Sequence, residues 1–268
     1  KEIEQSDLKK FRILHDIIPI AENGMPKSPK DWYYKIYTSI NENDFYITNS
    51  ENTKRDILRE FPFLNQSHIK TALLGAADNF YPKKKENAGK YILSLCTIGK
   101  RKNLIFGIKN FFKFIEKNNI NDLKLILAGG IWTKFKKELE NTIENFDSSK
   151  IEFLGYVPDE KLAELYSNAL CFIYPSLYEG FGLPVLEAMK CGCPVITSNV
   201  SSLPEVIGDC GIQISPTSDD EMINAYEKMY FDRAFRENCK QKSLERAKQF
   251  SWEKCASKLL EFIEEKLV

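Results

Sequence analysis

Short apolar runs rich in Ile, Leu and Val alternate along this chain with longer segments whose apolar residues recur at helical spacing. No other feature constrains the fold as tightly. A strand covered on both faces reads as a near-continuous apolar run, whereas a half-exposed strand alternates with polar residues. Parallel strands also need a crossover of a dozen or more residues between them, which helices supply. Strands are predicted at 12–18, 45–48, 70–74, 91–95, 123–128, 151–154, 171–174, 194–197 and 211–214. Helices are predicted near 29–40, 51–61, 103–117, 133–145, 159–168 and 183–191, then at 219–230, 233–250 and 252–266. The implied class is α/β, doubly wound around parallel sheet.

The alternation breaks at 79–89, where Asn79-Phe-Tyr-Pro82 leads into Lys83-Lys84-Lys85 without apolar period. This stretch reads as a linker, and the lysine triplet as a solvated charge run. Residues 1–82 then form a first domain that looks incomplete, with three strands. Residues 83–250 form a second with about six, the complement of one Rossmann-like domain. Residues 251–268 form a closing helix, capped by Ser251 ahead of Trp252-Glu-Lys254.

Composition narrows the function. The 268 residues carry 38 Lys+Arg against 38 Asp+Glu, so no net charge draws the chain to nucleic acid. Hydrophobic residues at 43% suffice for buried cores, and no apolar run approaches the ~20 residues that span a bilayer. Seven scattered Cys suit a reducing cytoplasm. Two His, and Cys191-Gly-Cys193 at the wrong spacing for a zinc knuckle, give no metal site.

The chemistry gathers in Tyr174-Pro-Ser-Leu-Tyr-Glu179-Gly-Phe-Gly-Leu-Pro-Val-Leu-Glu187-Ala-Met. A strand ends at Tyr174 and a helix opens near Leu183-Pro184, so the loop between them lies at a strand's carboxyl end, where ligands of open α/β sheets bind. Gly180 and Gly182 expose backbone N–H groups beside the positive end of the helix, a nest for phosphate or sugar hydroxyls. Glu179 and Glu187 bracket that nest. A helical carboxylate can accept from two vicinal hydroxyls, as a ribose presents, while a loop carboxylate reaches a neighbouring ring. Lys100-Arg101-Lys102 forms a tight cationic cluster after the apolar run 91–95. No Gly-x-Gly-x-x-Gly follows any strand, which sets aside a nicotinamide-dependent oxidoreductase.

The string Tyr178-Glu-Gly-Phe-Gly-Leu-Pro-Val-Leu-Glu-Ala-Met189 resembles the defining motif of retaining glycosyltransferases of family four (group 1, GT-B fold). Lys100-Arg-Lys-Asn-Leu104, Leu127-Ala-Gly-Gly130, Phe153-Leu-Gly-Tyr-Val157, Ser201-Ser-Leu-Pro-Glu205 and Phe250-Ser-Trp252 follow in family order. The resemblance implies two Rossmann-like domains facing a cleft, the first partial here, with the final helix returning toward it. It implies that Glu187 holds the donor ribose, that Glu179 lies beside the transferred sugar, and that the backbone of Gly180, Phe181, Gly182 and Leu183 runs along sugar and diphosphate. Lys102, with Arg101 beside it, resembles the cationic pair on the leaving group. Gly129 and Gly130 resemble the nucleotide approach, and Tyr156 the base-binding edge. Many members place an Arg at the strand end where this chain has Cys96-Thr97, so Arg101 is expected to supply the second charge. That pattern resembles a subgroup transferring mannose or related sugars.

In the first domain, the string Leu14-His-Asp-Ile-Ile-Pro19 resembles the family motif whose His, here His15, contacts the donor sugar. Asp16 either fixes the His15 tautomer or caps the following turn. Ser50-Glu-Asn-Thr-Lys-Arg-Asp56 resembles a family segment opening a helix, with Ser50 as its N-cap and no chemistry assigned. The resemblance implies that about a hundred residues of a complete relative, its acceptor contacts among them, have no counterpart in this sequence. The expected activity is transfer of a sugar, mannose or similar, from a nucleotide diphosphate donor to a hydroxyl of a glycan or lipid-linked acceptor, with retention and without metal or other cofactor. A cytoplasmic location is expected, with peripheral association at the inner membrane face for a lipid-linked acceptor. The alternative from another class is a non-catalytic module that only holds a nucleotide sugar.

Overall fold

The computed structural model describes residues 8–25, 27–28, 32–83, 90–95, 99–130 and 133–267, with backbone alone for 22, 23 and 133–136. The chain divides into two compact units. Unit 1 comprises Lys1–Gly75, Glu179–Phe181 and Ser251–Val268; unit 2 comprises Ala76–Tyr178 and Gly182–Phe250. Each has its own parallel sheet.

Unit 1 carries β1 (Phe11–Leu14), β2 (Phe45–Thr48) and β3 (Ile69–Thr71), paired in that order, with Phe11 opposite Phe45 and Tyr46 opposite Ile69. All four residues of central β2 are buried, as an uninterrupted apolar run requires, whereas Ile13 on β1 is 57% exposed. Between the strands lie α1 (Ile18–Asn23), α2 (Trp32–Thr38) and α3 (Glu51–Glu60). The predicted strand 12–18 stops at Leu14. There Asp16 Oδ1 accepts the Ile18 N–H at 3.0 Å, and Pro19 fits the first turn of α1, a helix the sequence pattern did not reveal. The predicted helix 29–40 is seen as Trp32–Thr38, residues 29–31 lying outside the described residues. Ser50 caps α3 as expected, its Oγ accepting the Thr53 N–H at 3.0 Å.

The last helix, α11 (Trp252–Leu267), packs within unit 1. Ser251 Oγ accepts the Lys254 N–H at 3.2 Å to open it. Its Cys255, Leu259 and Phe262 lie against Phe11, Phe45, Ile47 and Ala72. Phe262 meets the rings of Phe11 and Phe45 edge-on, each at 6.0 Å. At Gly75 a Cβ would sit 2.4 Å from the Trp252 amide nitrogen, so the chain leaving unit 1 touches the chain returning to it.

Unit 2 runs β4 (Tyr91–Leu95), α4 (Leu104–Lys117), β5 (Lys124–Ala128), α5 (Thr133–Ile143), β6 (Ile151–Gly155), α6 (Asp159–Asn168) and β7 (Cys171–Tyr174). It continues through α7 (Leu183–Lys190), β8 (Val195–Ser198), α8 (Leu203–Ile207), β9 (Ile212–Ile214), α9 (Asp219–Phe231) and α10 (Arg233–Ala247). The six strands are parallel in the order β6-β5-β4-β7-β8-β9, the doubly wound pattern read from the apolar runs. Helix α4 buries Phe111 and Phe114 against Tyr226 of α9, whose hydroxyl donates to the Gly107 carbonyl at 3.0 Å. Short α8, with Pro204 in its first turn, was not predicted.

The division falls after Gly75, ahead of the stretch read as a linker. Part of that stretch is held to α6: Phe80 packs edge-on against Tyr166 at 6.2 Å, and the Lys83 N–H donates to Ser167 Oγ at 2.8 Å. Asn168 Nδ2 donates to the Lys83 carbonyl at 2.9 Å. Lys84 and Lys85 of the triplet lie outside the described residues.

Because Phe262 is 2% exposed between two aromatic rings, Phe262→Ala is expected to destabilise unit 1 by about 3–5 kcal/mol through the cavity it opens. Urea unfolding followed by circular dichroism checks this, and a wild-type midpoint would refute it.

Candidate functional site

In unit 2 the winding reverses at β4. Strands β5 and β6 lie on one side of it, and β7, β8 and β9 on the other. At such a reversal the helices that follow the two central strands lie on opposite faces of the sheet, and ligands of open α/β sheets bind at the carboxyl end between them.

After β4, Lys100–Lys102 form a single 3-10 turn, while Cys96 and Thr97 lie outside the described residues. The turn and the segment after β7 clasp each other. Arg101 Nη1 donates to the Tyr178 carbonyl at 2.7 Å, and the Leu177 N–H donates to the Arg101 carbonyl at 2.8 Å. Half-buried Lys102 donates from Nζ to the hydroxyl of Tyr174, a 2% exposed residue at the last position of β7.

Gly182 precedes α7 with φ of +106°, a left-handed conformation suited to glycine, and a Cβ there would approach Leu203 Cδ2 to 2.8 Å. Leu183 is the first helical residue and Pro184 follows in the first turn. Glu187, half-buried on α7, receives a hydrogen bond from Tyr166 Oη at 3.4 Å. Burial raises the Glu187 carboxyl to about 7 and the charge of Asp159 adds to this, while the Tyr166 hydroxyl opposes it. Burial also raises the Tyr166 phenol well above its ordinary value, followed by the influence of Glu187 and of Tyr174. Edge-on contact of Tyr166 with Phe172 at 5.1 Å, and stacking of Phe172 with Tyr174 at 5.8 Å, complete an aromatic support beneath Glu187 and Lys102. These two side chains, predicted from separate motifs, thus rest on one continuous group of rings. The supporting tyrosines escaped sequence reading because both sit where an apolar core residue is equally expected.

Gly129 follows β5 with φ of +123° and donates its N–H to the Gly155 carbonyl at 2.7 Å. A Cβ on Gly130 would meet nothing within 4 Å among the described residues. Tyr156, after Gly155 at φ +64°, is 85% exposed.

The remaining predicted residues belong to unit 1. His15 is exposed at the end of β1, and Asp16 caps the turn into α1, which settles the alternative left open for it. Glu179 is 7% exposed and Phe181 is buried. At Gly180 a Cβ would stand 2.6 Å from the His15 carbonyl oxygen and 2.8 Å from Asp16 Cβ. The close approach that demands this glycine is therefore made by the chain's own His15-Asp16 backbone. Ser50 Oγ donates to the Gly180 carbonyl at 2.8 Å, and Thr53 Oγ1 stands 3.3 Å from the same oxygen.

Among the described residues no group of three or more His, Cys, Asp or Glu is placed to hold a metal ion, and no helix is long and apolar enough to cross a membrane.

Comparison with known proteins places this geometry. The chain is 34% identical over 243 residues to the O-antigen chain mannosyltransferase B of Escherichia coli, an alignment covering 84% of this chain and 61% of that protein's length. Sucrose-phosphate synthase from Thermosynechococcus elongatus superposes with a TM-score of 0.81 at 22% identity, covering 98% of this chain and 69% of that one. Anabaena HepE, solved in complex with UDP and glucose, superposes with a TM-score of 0.79 at 18% identity, over 96% and 71% of the two chains. The fold is the Rossmann-like GT-B type, α/β with parallel sheets. The family model described as glycosyl transferases group 1 matches residues 77–246, well over half of the sequence, and the chain belongs to that family.

Proposed function

We propose that the protein transfers a sugar, mannose or a close relative, from a nucleoside diphosphate to a hydroxyl of a glycan or lipid-linked saccharide, retaining configuration at the anomeric carbon. The observation that carries this reading is the pairing in unit 2 of Lys102 with Tyr174 and of Glu187 with Tyr166, at the carboxyl end of β7 and on the helix that follows. A cation and a carboxylate supported by linked aromatic rings suit the two ends of a nucleoside diphosphate, its phosphates and its ribose. Mannose is favoured by the similarity to a mannosyltransferase, and a nucleotide-sugar donor by the likeness to a fold solved with UDP and glucose.

In this reading Glu187 accepts from the ribose hydroxyls, Gly129 and Gly130 admit the nucleotide, and Tyr156 borders the base. Departure of the diphosphate concentrates negative charge on its oxygens. Lys102 and the amides opening α7 at Leu183 meet that charge without reorganising, which lowers the barrier more than it tightens ground-state binding. Arg101 adds charge beside them while holding the Tyr178 carbonyl. Glu179 and His15 are assigned to the sugar, with Gly180, Phe181 and Gly182 forming the backbone along it. Neither Glu179 nor Glu187 is given a nucleophile's role. The leaving phosphate takes the acceptor proton on the face where it departs, so the new bond forms on the side of the old one. No metal ion is assigned a part. The reaction is placed in the cytoplasm, at the inner membrane face when the acceptor is lipid-linked.

Lys102→Ala is expected to lower turnover at least tenfold, about 1.4 kcal/mol of lost leaving-group stabilisation. Steady-state release of nucleoside diphosphate from GDP-mannose and from UDP-glucose measures it, and an unchanged rate would remove the phosphate role.

Glu187 makes a second expectation specific in sign. Its folded-state pKa of about 7 lies above the ordinary 4.5, so its contribution to stability is full below 4.5 and is lost as pH rises through 7. Ribose hydroxyls donate to the ionised carboxylate and pull that pKa down on binding, so binding releases a proton below pH 7. Affinity for GDP or UDP is expected to rise between pH 6 and 8 and then level off. In Glu187→Gln the affinity is expected to be weaker and free of that slope, while the unliganded variant melts higher than wild type at pH 8. Calorimetric titrations at several pH values decide the point; an identical slope in the variant would reject the ribose assignment.

A further inference from the structure

We propose that Ser50, assisted by Thr53, is a positioning residue that sets Glu179 and His15 relative to each other; the inference rests on the roles given to those two residues above. Sequence reading left Ser50 as a helix cap. The structure gives its hydroxyl a second task.

Ser50 and Thr53 are both fully buried. Ser50 Oγ accepts the Thr53 N–H at 3.0 Å, which satisfies the helix, and its own proton is directed to the Gly180 carbonyl at 2.8 Å. Thr53 Oγ1 lies 2.9 Å from Ser50 Oγ, 3.3 Å from the Gly180 carbonyl and 3.4 Å from the His15 carbonyl. Two hydroxyls separated by three residues on one helix turn thus address the backbone of two distant segments, one ending in His15 and the other beginning with Glu179. The absence of a side chain at Gly180 lets these segments meet, since a Cβ there would stand 2.6 Å from the same His15 oxygen. A cap needs an acceptor only, and Asn or Asp would serve it. Donation to a buried carbonyl needs a hydroxyl proton, and a carbonyl left unpaired in that place carries a desolvation penalty. The pair therefore fixes the backbone adjoining Glu179 against the backbone of His15. A buried carboxylate one peptide from a pinned carbonyl has little freedom to drift, and sugar transfer is sensitive to displacements of about 1 Å.

The test uses the full-length protein, GDP-mannose and UDP-glucose as donors, and GDP and UDP as binding probes. Ser50→Gly removes the hydroxyl at a cap where Gly is well tolerated, and Thr53→Val removes the second hydroxyl while leaving the capped amide in place. Ser50→Gly is expected to lower turnover about tenfold, and Thr53→Val severalfold, with dissociation constants for GDP and UDP within twofold of wild type. On a Glu179→Ala background, Ser50→Gly is expected to add less than a twofold loss, because the group it positions is already gone. Wild-type turnover in both hydroxyl variants, or a Ser50→Gly loss that persists undiminished in the Glu179→Ala background, overturns the inference. Wild-type turnover in Glu179→Ala alone overturns the role given to Glu179 and this inference with it. A loss there with none in Ser50→Gly or Thr53→Val overturns the inference only.

Discussion

The position of β4 between β5 and β7 governs everything built on unit 2. Right-handed crossovers wind the first three strands of that sheet one way and the last three the other. The helices after β4 and β7 then lie on opposite faces, while the turns that precede them stay hydrogen-bonded to each other at the carboxyl end. Polar groups emerging there are neighbours in space although 72 positions separate Lys102 from Tyr174. A sheet wound in a single direction would have covered that end with consecutive loops.

Around this opening the protein uses buried phenols where a simpler design would use apolar rings. Tyr174 and Tyr166 are almost or wholly inaccessible, yet each places its oxygen at the boundary between the core and a charged side chain. A buried hydroxyl without a partner is costly, so each ring is committed to its partner's location. Unit 1 applies the same logic with smaller groups: Ser50 and Thr53 are sealed from solvent and spend their hydroxyls on the main chain. In both units polar groups at the surface, Lys102 and the backbone of exposed His15 among them, are contacted from below by buried hydroxyls.

Much of this was legible beforehand, and for identifiable reasons. Strands such as Cys171–Tyr174 and Tyr91–Leu95 announced themselves because a doubly covered strand admits few polar residues. Helix Asp159–Asn168 was equally plain from its period. The Glu179–Glu187 stretch stood out because glycines, a helix-opening proline and two acids coincide there. What escaped were features too short to show a period, or decided by a side-chain cap or by partners far away in sequence. The strand at β1 ended early because Asp16 captured the Ile18 amide, and short α1 and α8 offer too few turns for a period to show. The segment at 79–83 looked like a connector because its anchor, the end of α6, lies more than eighty positions on. Likewise the serine at 50 carries a local signal for its cap and none for its hold on Gly180, 130 positions later.

The contact of Gly75 with the Ser251-Trp252 backbone carries a consequence for how the molecule assembles. Gly75 and Ser251 meet at one spot, so β3 and α11 can join only when the ends of the long segment 76–250 are brought together. The entropy of closing such a loop falls sharply once the intervening chain is already compact with its ends adjacent. Unit 2, nearly continuous in sequence, can collapse by itself and deliver those ends. On a ribosome the apolar surface of Phe11, Phe45 and Ile47 must therefore wait, uncovered by Phe262, until the chain through α11 has emerged.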